Sequence, residues 1–193
     1  MKGRFWAFVI GAVMIASFAS KAQAQWAEDR PTRYSFSIST YAPTCSKLAD
    51  DAGSVWMTLA GAYVLTYDAD EKPSTSVEFS IAKSSQGYFK GSQCSAVYMK
   101  SWHGNSPKTD KVYYGLGAGL FSDTVREESY WSTPYTSVAG FNDSGVRPGV
   151  CANIGVNLNE IWFAELRYTE VPSIGEGFGF SGISLGGGAR FSF

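Results

Sequence analysis

The sequence predicts an all-β protein, an eight-stranded antiparallel up-and-down transmembrane β-barrel. Three observations carry that prediction. The chain opens with an export signal. Its remainder contains eight segments in which apolar and polar residues alternate with a period of two. The faces opposite the apolar ones hold glycine, serine, threonine and asparagine with few charges. That suits a narrow, filled lumen better than a sheet facing water.

The export signal comes first. Lys2 and Arg4 precede an apolar run from Phe5 to Phe18, and Ala22-Gln23-Ala24 supplies a small-x-small cleavage site. This is the plan of a secretory signal peptide. The run is shorter than the ~20 apolar residues of a spanning helix. Residues 1–24 are therefore assigned to the signal peptide, 25–33 to a periplasmic N-terminal segment, and 34–193 to an outer-membrane barrel. No cysteine follows the cleavage site, which argues against a lipid anchor. A formal net charge of −1 gives no reason to expect nucleic acid as a partner.

The strands follow in order. Tyr34 to Tyr41 places Tyr34, Phe36 and Ile38 opposite Ser35, Ser37 and Ser39. Val55 to Tyr67 sets Met57, Leu59, Tyr63 and Leu65 against Thr58, Ala60, Ala62 and Thr66. A turn over Asp68 to Ser74 leads to Val77, Phe79 and Ile81, which alternate with Glu78, Ser80 and Ala82. The fourth segment, about Gln93 to Trp102, allows either phase. In the fifth, Val112, Tyr114, Leu116, Ala118 and Leu120 oppose Gly115, Gly117 and Gly119. The sixth, Val146 to Leu158, sets Val150, Ala152, Ile154 and Val156 against Arg147, Cys151, Asn153 and Asn157. After Asn159-Glu160, Trp162, Ala164, Leu166 and Tyr168 oppose Phe163, Glu165, Arg167 and Thr169. The last, from about Phe178 to Phe193, sets Ile183, Leu185, Ala189, Phe191 and Phe193 against Ser184, Gly186, Gly188, Arg190 and Ser192. Long connections are expected at 42–54, 84–92, 122–144 and 170–177, alternating with short turns, the asymmetry of membrane barrels.

A soluble barrel or sandwich, with its apolar faces inward, is the competing solution. Few charges stand on the polar faces. Among them, Glu78, Glu165, Arg167 and Arg190 are expected to form ion pairs inside the lumen, because buried charges must be paired. Inward glycines of the fifth and eighth strands should leave room for Arg and Tyr side chains. Tyr34, Tyr67, Tyr114, Trp162 and Phe193 lie near strand ends on one side, where an interfacial girdle belongs.

The C-terminal stretch Gly186-Gly187-Gly188-Ala189-Arg190-Phe191-Ser192-Phe193 resembles the terminal strand of outer-membrane barrels, which ends in an aromatic residue. Tyr113-Tyr114-Gly115-Leu116-Gly117-Ala118-Gly119-Leu120 and Ala164-Glu165-Leu166-Arg167-Tyr168-Thr169 are similar to strands of the small outer-membrane β-barrel domain family, which includes the OmpA and OmpX type. A peptidoglycan-binding domain after the barrel is not expected. The resemblance implies outer-membrane lipid and lipopolysaccharide as surroundings. It also implies the barrel-assembly machinery as a partner that reads Phe191 and Phe193. A monomeric, non-enzymatic envelope protein is expected, with contacts to ligands or other cells through its surface loops. A lipid A or phospholipid modifying enzyme, or a small channel, stands as the alternative.

Few residues invite chemistry. His103 is the single histidine, with Ser101 and Ser106 near in sequence, but it falls in a connection expected on the periplasmic side, away from lipid A. No catalytic residue is therefore assigned. Cys45, Cys94 and Cys151 allow one disulfide in an oxidising compartment, with three pairings open. Cys45–Cys94 is the expected one, and three unpaired thiols are the alternative. No metal-ligand spacing is present and no cofactor is expected. In the loop from Ser122 to Ser144, Tyr130, Trp131, Tyr135 and Phe141 are candidates for a binding surface or for packing over the barrel mouth.

Overall fold

The computed structural model describes residues 33–68, 70, 72–104, 106, 109–133, 136–173 and 177–191. The signal peptide, all but Arg33 of the N-terminal segment, Tyr135, Ser192 and Phe193 lie outside the described residues. The elements are β1 (Tyr34–Pro43), α1 (Ser46–Ala52), β2 (Trp56–Tyr67), β3 (Pro73–Gln86), β4 (Phe89–His103), β5 (Val112–Glu127), β6 (Tyr130–Thr133), β7 (Thr136–Val138), β8 (Asn142–Asn157), β9 (Trp162–Glu170) and β10 (Gly182–Phe191). Eight of the strands close into an antiparallel barrel in the order β1-β10-β9-β8-β5-β4-β3-β2, while β6 and β7 form a separate hairpin. Closure joins Tyr34 to Phe191 and Pro43 to Gly182, so the first and last strands of the barrel leave no open seam between them.

The period-two pattern sorts the side chains as the sequence predicts. Phe79, Leu116, Leu120 and Leu185 stand outward and are about 60 % exposed, a continuous apolar surface that water would not tolerate. Within the wall, Val97, Met99, Phe121, Cys151, Asn153, Phe163 and Thr169 turn inward and are buried. The fourth strand takes the phase with Val97 and Met99 inside and Tyr98 outside, which puts Lys100 on the outward phase. Ala189 follows the outward phase yet is buried, because its register partners are the bulky Phe36 and Trp162.

Three expectations need correction. The connection expected at 84–92 is a two-residue turn at Gly87-Tyr88, with Gln86 paired to Phe89. Gly87 has φ 58, the left-handed conformation such hairpin turns demand. The connection expected at 122–144 is mostly strand: β5 runs on to Glu127 and β8 begins at Asn142. The eighth strand begins at Gly182 rather than near Phe178, and residues 178–181 cross the barrel mouth instead. In the first two cases serines, threonines and glycines have the composition of a loop although they sit on the polar outer end of long strands; in the third, Phe178 and Phe180 alternate with Gly179 and Ser181 as strand residues would, although they turn in over the lumen.

The barrel wall is therefore uneven. β3, β4, β5 and β8 have 14, 15, 16 and 16 residues, whereas β1, β9 and β10 have 10, 9 and 10. A bilayer needs ~9–11 tilted residues, so the four long strands rise beyond it at the end opposite the chain termini. At the terminus end, Tyr34 and Tyr63 pack with ring centroids 5.3 Å apart, and Trp102 stacks on Tyr114 at 5.7 Å. Outward aromatics at that rim fit the membrane–water interface.

Candidate functional site

At mid-barrel, β3 and β9 bring a charged group together, with neutral partners from β5 and β8. Arg167 donates from both terminal nitrogens to Glu78, with Nη2 2.7 Å from Oε2, and from Nη2 and Nε to Glu165 Oε1 at 2.8 and 3.0 Å. The other oxygen of Glu165 accepts from Tyr113 at 3.0 Å and Asn153 at 2.7 Å. The forked guanidinium suits this task, since it offers five donors to two carboxylates at once. The side chains of Glu78, Glu165 and Arg167 are 10, 17 and 16 % exposed.

Arg190 does not join these ion pairs. It lies one level nearer the chain termini, donates to Asn157, and stacks over the rings of Phe163 and Tyr113 at 4.5 and 5.1 Å. The expected four-member ion-pair set thus has three members, with the fourth cation held by aromatic faces. The glycine expectation also changes. The space at Gly117 is filled by Met99, and that at Gly188 by Phe163, where a Cβ would overlap them. The tyrosine lies elsewhere: the Tyr113 ring occupies the place of a side chain at Gly155 on β8.

Polar cavities flank this layer. One of about 60 Å³ lies toward the termini, lined by Ser35, Ser37, Ser101, His103 and Asn153; another of about 50 Å³ lies toward the mouth, lined by Ser39, Thr58, Ser80, Gln93 and Ser95. Glu78, Glu165, Arg167 and Phe163 line both, so the charged layer is the partition between them. Each has room for a few waters at most.

The mouth is closed differently. Leu48 and Ala52 of α1, Trp56, Tyr41, Phe121, Val125, Val171, Phe178 and Phe180 form an apolar plug. Trp56 packs edge-on against Phe180 and Tyr41, each at 5.8 Å, and its indole N–H donates to the Gly53 carbonyl at 2.7 Å. The Tyr41 hydroxyl donates to the Phe180 carbonyl, and Gln93 Nε2 bridges that carbonyl and Asp123 Oδ1 at 3.3 and 3.0 Å. Arg147 holds the same crossing segment through the Pro172 carbonyl at 3.1 Å. Sequence reading missed α1 and this plug. The signal available was the i, i+4 pair Leu48 and Ala52 in an otherwise polar stretch.

This is the fold of a small transmembrane β-barrel. The structure is similar to the crystal structure of Neisserial surface protein A (NspA), with a TM-score of 0.54 and 15 % identity, covering 83 % of this chain and 96 % of that one. No family model matches the sequence, and no curated protein does.

The remaining candidates fall as follows. All three cysteines are free thiols. Cys94 faces outward from β4, while Cys45 sits at the mouth with its thiol 3.6 Å from the Gly177 carbonyl. The Cys45–Cys94 disulfide is therefore not formed, because the two side chains stand on opposite sides of the wall. Cys151 is buried in the lumen against Met99 at 3.3 Å. His103 points inward at the terminus end of β4, its side chain 5 % exposed and Nδ1 3.6 Å from Asp68, beyond hydrogen-bond reach. Of the loop aromatics, Phe141 stacks on Phe178 at 5.8 Å and meets Phe89 edge-on at 6.1 Å, which ties the base of the β6–β7 hairpin to the plug. Tyr130 and Trp131 lie on β6. Beside the hairpin, Glu128 accepts a hydrogen bond from Lys90, which together with the ammonium charge holds its carboxyl below the usual carboxylate range.

Proposed function

We propose that this chain is a non-enzymatic protein of the bacterial outer membrane, a monomeric barrel that displays the β6–β7 hairpin and its neighbours at the cell surface for contact with ligands or other cells. The observation that carries the reading is the combination of an apolar outer wall with a lumen filled at two levels, by Arg167 between two carboxylates and by the Trp56–Phe180 plug. Such a barrel has its free surface at its ends. The raised strands and the hairpin concentrate that surface at the end away from the chain termini. A conducting channel fits poorly with two closures in series. An enzyme acting on lipid A fits poorly with a histidine that faces into the lumen at the terminus end. Export would use the signal peptide, and assembly would use the barrel-assembly machinery, with Phe191 and Phe193 as the recognised end.

Expression of the full chain in a diderm host tests this. It should appear in the outer-membrane fraction and migrate differently on gels before and after heating. Loss of Phe193 should lower the folded amount more than loss of residues 26–30. Lipid A acylation should be unchanged by the protein, and planar bilayers should show no steady conductance. A soluble periplasmic product, steady conductance, or a lipid change abolished by His103→Ala would each contradict the reading.

A further inference from the structure

The outer surface of the four long strands changes character along sharp register lines. The row Phe79–Ala96–Leu120–Pro148 is apolar, and the next, Ile81–Cys94–Ser122–Val146, is nearly so. The row above reads Lys83–Ser92–Thr124–Ser144, and the one above that reads Ser85–Lys90–Arg126–Asn142. Thus two whole rows of hydroxyl, amide and cationic side chains stand directly on top of the lipid-facing band. Lys83, Lys90 and Arg126 are exposed. Lys90 and Arg126 are register partners, and Lys83 stands one row nearer the lipid.

The charge balance is positive. Lys90 pairs with Glu128, whereas Lys83 and Arg126 have no ion pair among the described residues. Among the described residues, the low side of the barrel has no such row: β1 ends in Ala42-Pro43, and the top of β9 carries Glu170, whose carboxylate accepts from Tyr168. Neighbouring strands lie ~4.8 Å apart, so four of them make a patch roughly 15 Å wide.

We propose that this patch binds the phosphorylated sugar headgroup of a glycolipid in the leaflet at the loop end. The acyl chains would lie along Phe79, Ile81, Leu120 and Val146. Lys83, Lys90 and Arg126 would meet the phosphates through charge-assisted hydrogen bonds, and Ser92, Thr124, Ser144 and Asn142 would meet sugar hydroxyls. Three cations on two adjacent rows concentrate their attraction for an anionic headgroup at one place on the wall. This inference rests on the outer-membrane reading and adds a binding site on the wall, with the residues that would form it.

The test uses the full barrel refolded into phosphatidylcholine vesicles with and without lipid A, with retained lipid counted by native mass spectrometry after gentle extraction. The wild type should retain lipid A. The triple variant Lys83→Gln/Lys90→Gln/Arg126→Gln should insert equally well and retain it about tenfold less or lower still. Lys111→Gln, in a turn at the terminus end, should behave as the wild type. Insertion with undiminished retention by the triple variant would overturn the site. Displacement of lipid A by an equal amount of phosphatidylglycerol would overturn the sugar-phosphate assignment. Failure of the wild type to enter vesicles would instead overturn the membrane reading itself.

Discussion

At mid-barrel the lumen is filled by Arg167 between Glu78 and Glu165; at the mouth it is filled by Trp56, Phe180 and Leu48. The two closures use opposite physics. The charged layer is built from two strands of the wall, β3 and β9, and each member depends on the others for its pairing. The plug is carried by connections, α1 and the segment that crosses to β10, which close on Tyr41, Trp56, Phe121 and Val125 from β1, β2 and β5. Charge pairs are suited to the wall because strand register fixes their heights. Apolar rings are suited to the connections because burial is non-directional and tolerates irregular backbone. The charged layer should therefore fail together with the barrel, and the plug should fail locally.

The largest effect should come from Arg167→Met. It leaves two carboxylates facing each other in the lumen, and breaking a buried pair in this way costs about 3–5 kcal/mol. Urea unfolding from vesicles should register that loss. An unchanged midpoint would remove the charged layer from the list of stabilising features. Gly155→Ala comes next. The new Cβ would press on the Tyr113 ring and disturb its hydrogen bond to Glu165. Overpacking of this kind costs about 1–3 kcal/mol. Phe180→Ala should move the global midpoint less than Arg167→Met. Its signature should be faster hydrogen exchange at the Val171 amide, which is bonded to the Ser181 hydroxyl at 3.0 Å. Equal loss of protection throughout β5 and β8 would show that the plug and the wall are one unit. The smallest effect belongs to the cysteines. Cys94→Ser should be neutral within about 0.5 kcal/mol. A membrane-permeant maleimide should label Cys94 in the folded barrel and leave Cys151 unmodified. Labelling of Cys94 only after reduction would restore the disulfide.

The same contrast explains how far the sequence could be read. Alternation assigns a side chain to the inside or the outside of a strand, and it placed Leu116, Val150, Leu166 and Leu185 outside and Asn153, Glu165 and Arg167 inside. It says nothing about height along the barrel. Height separates Arg190 from Glu78, and it depends on the stagger between strands that pair only after closure. Strand ends were lost wherever the outer face turned polar, as at Lys83-Ser84-Ser85 and Ser122-Asp123-Thr124, because a strand above the lipid has the composition of a loop. The plug was out of reach for a different reason. Leu48, Trp56, Val125 and Phe180 come from four separate stretches, and no periodicity links them.

The central claim is that the apolar wall faces lipid. Single-cysteine variants Leu116→Cys and Leu185→Cys, on a background with Cys45, Cys94 and Cys151 replaced by serine, can carry an environment-sensitive fluorophore in vesicles doped with lipids bearing a quencher on the acyl chain. Both labels should be quenched by the lipid and shielded from iodide in the water, while a label at Ser144, above the apolar rows, should show the reverse. Iodide quenching at positions 116 and 185, with no effect of the lipid quencher, would contradict the account.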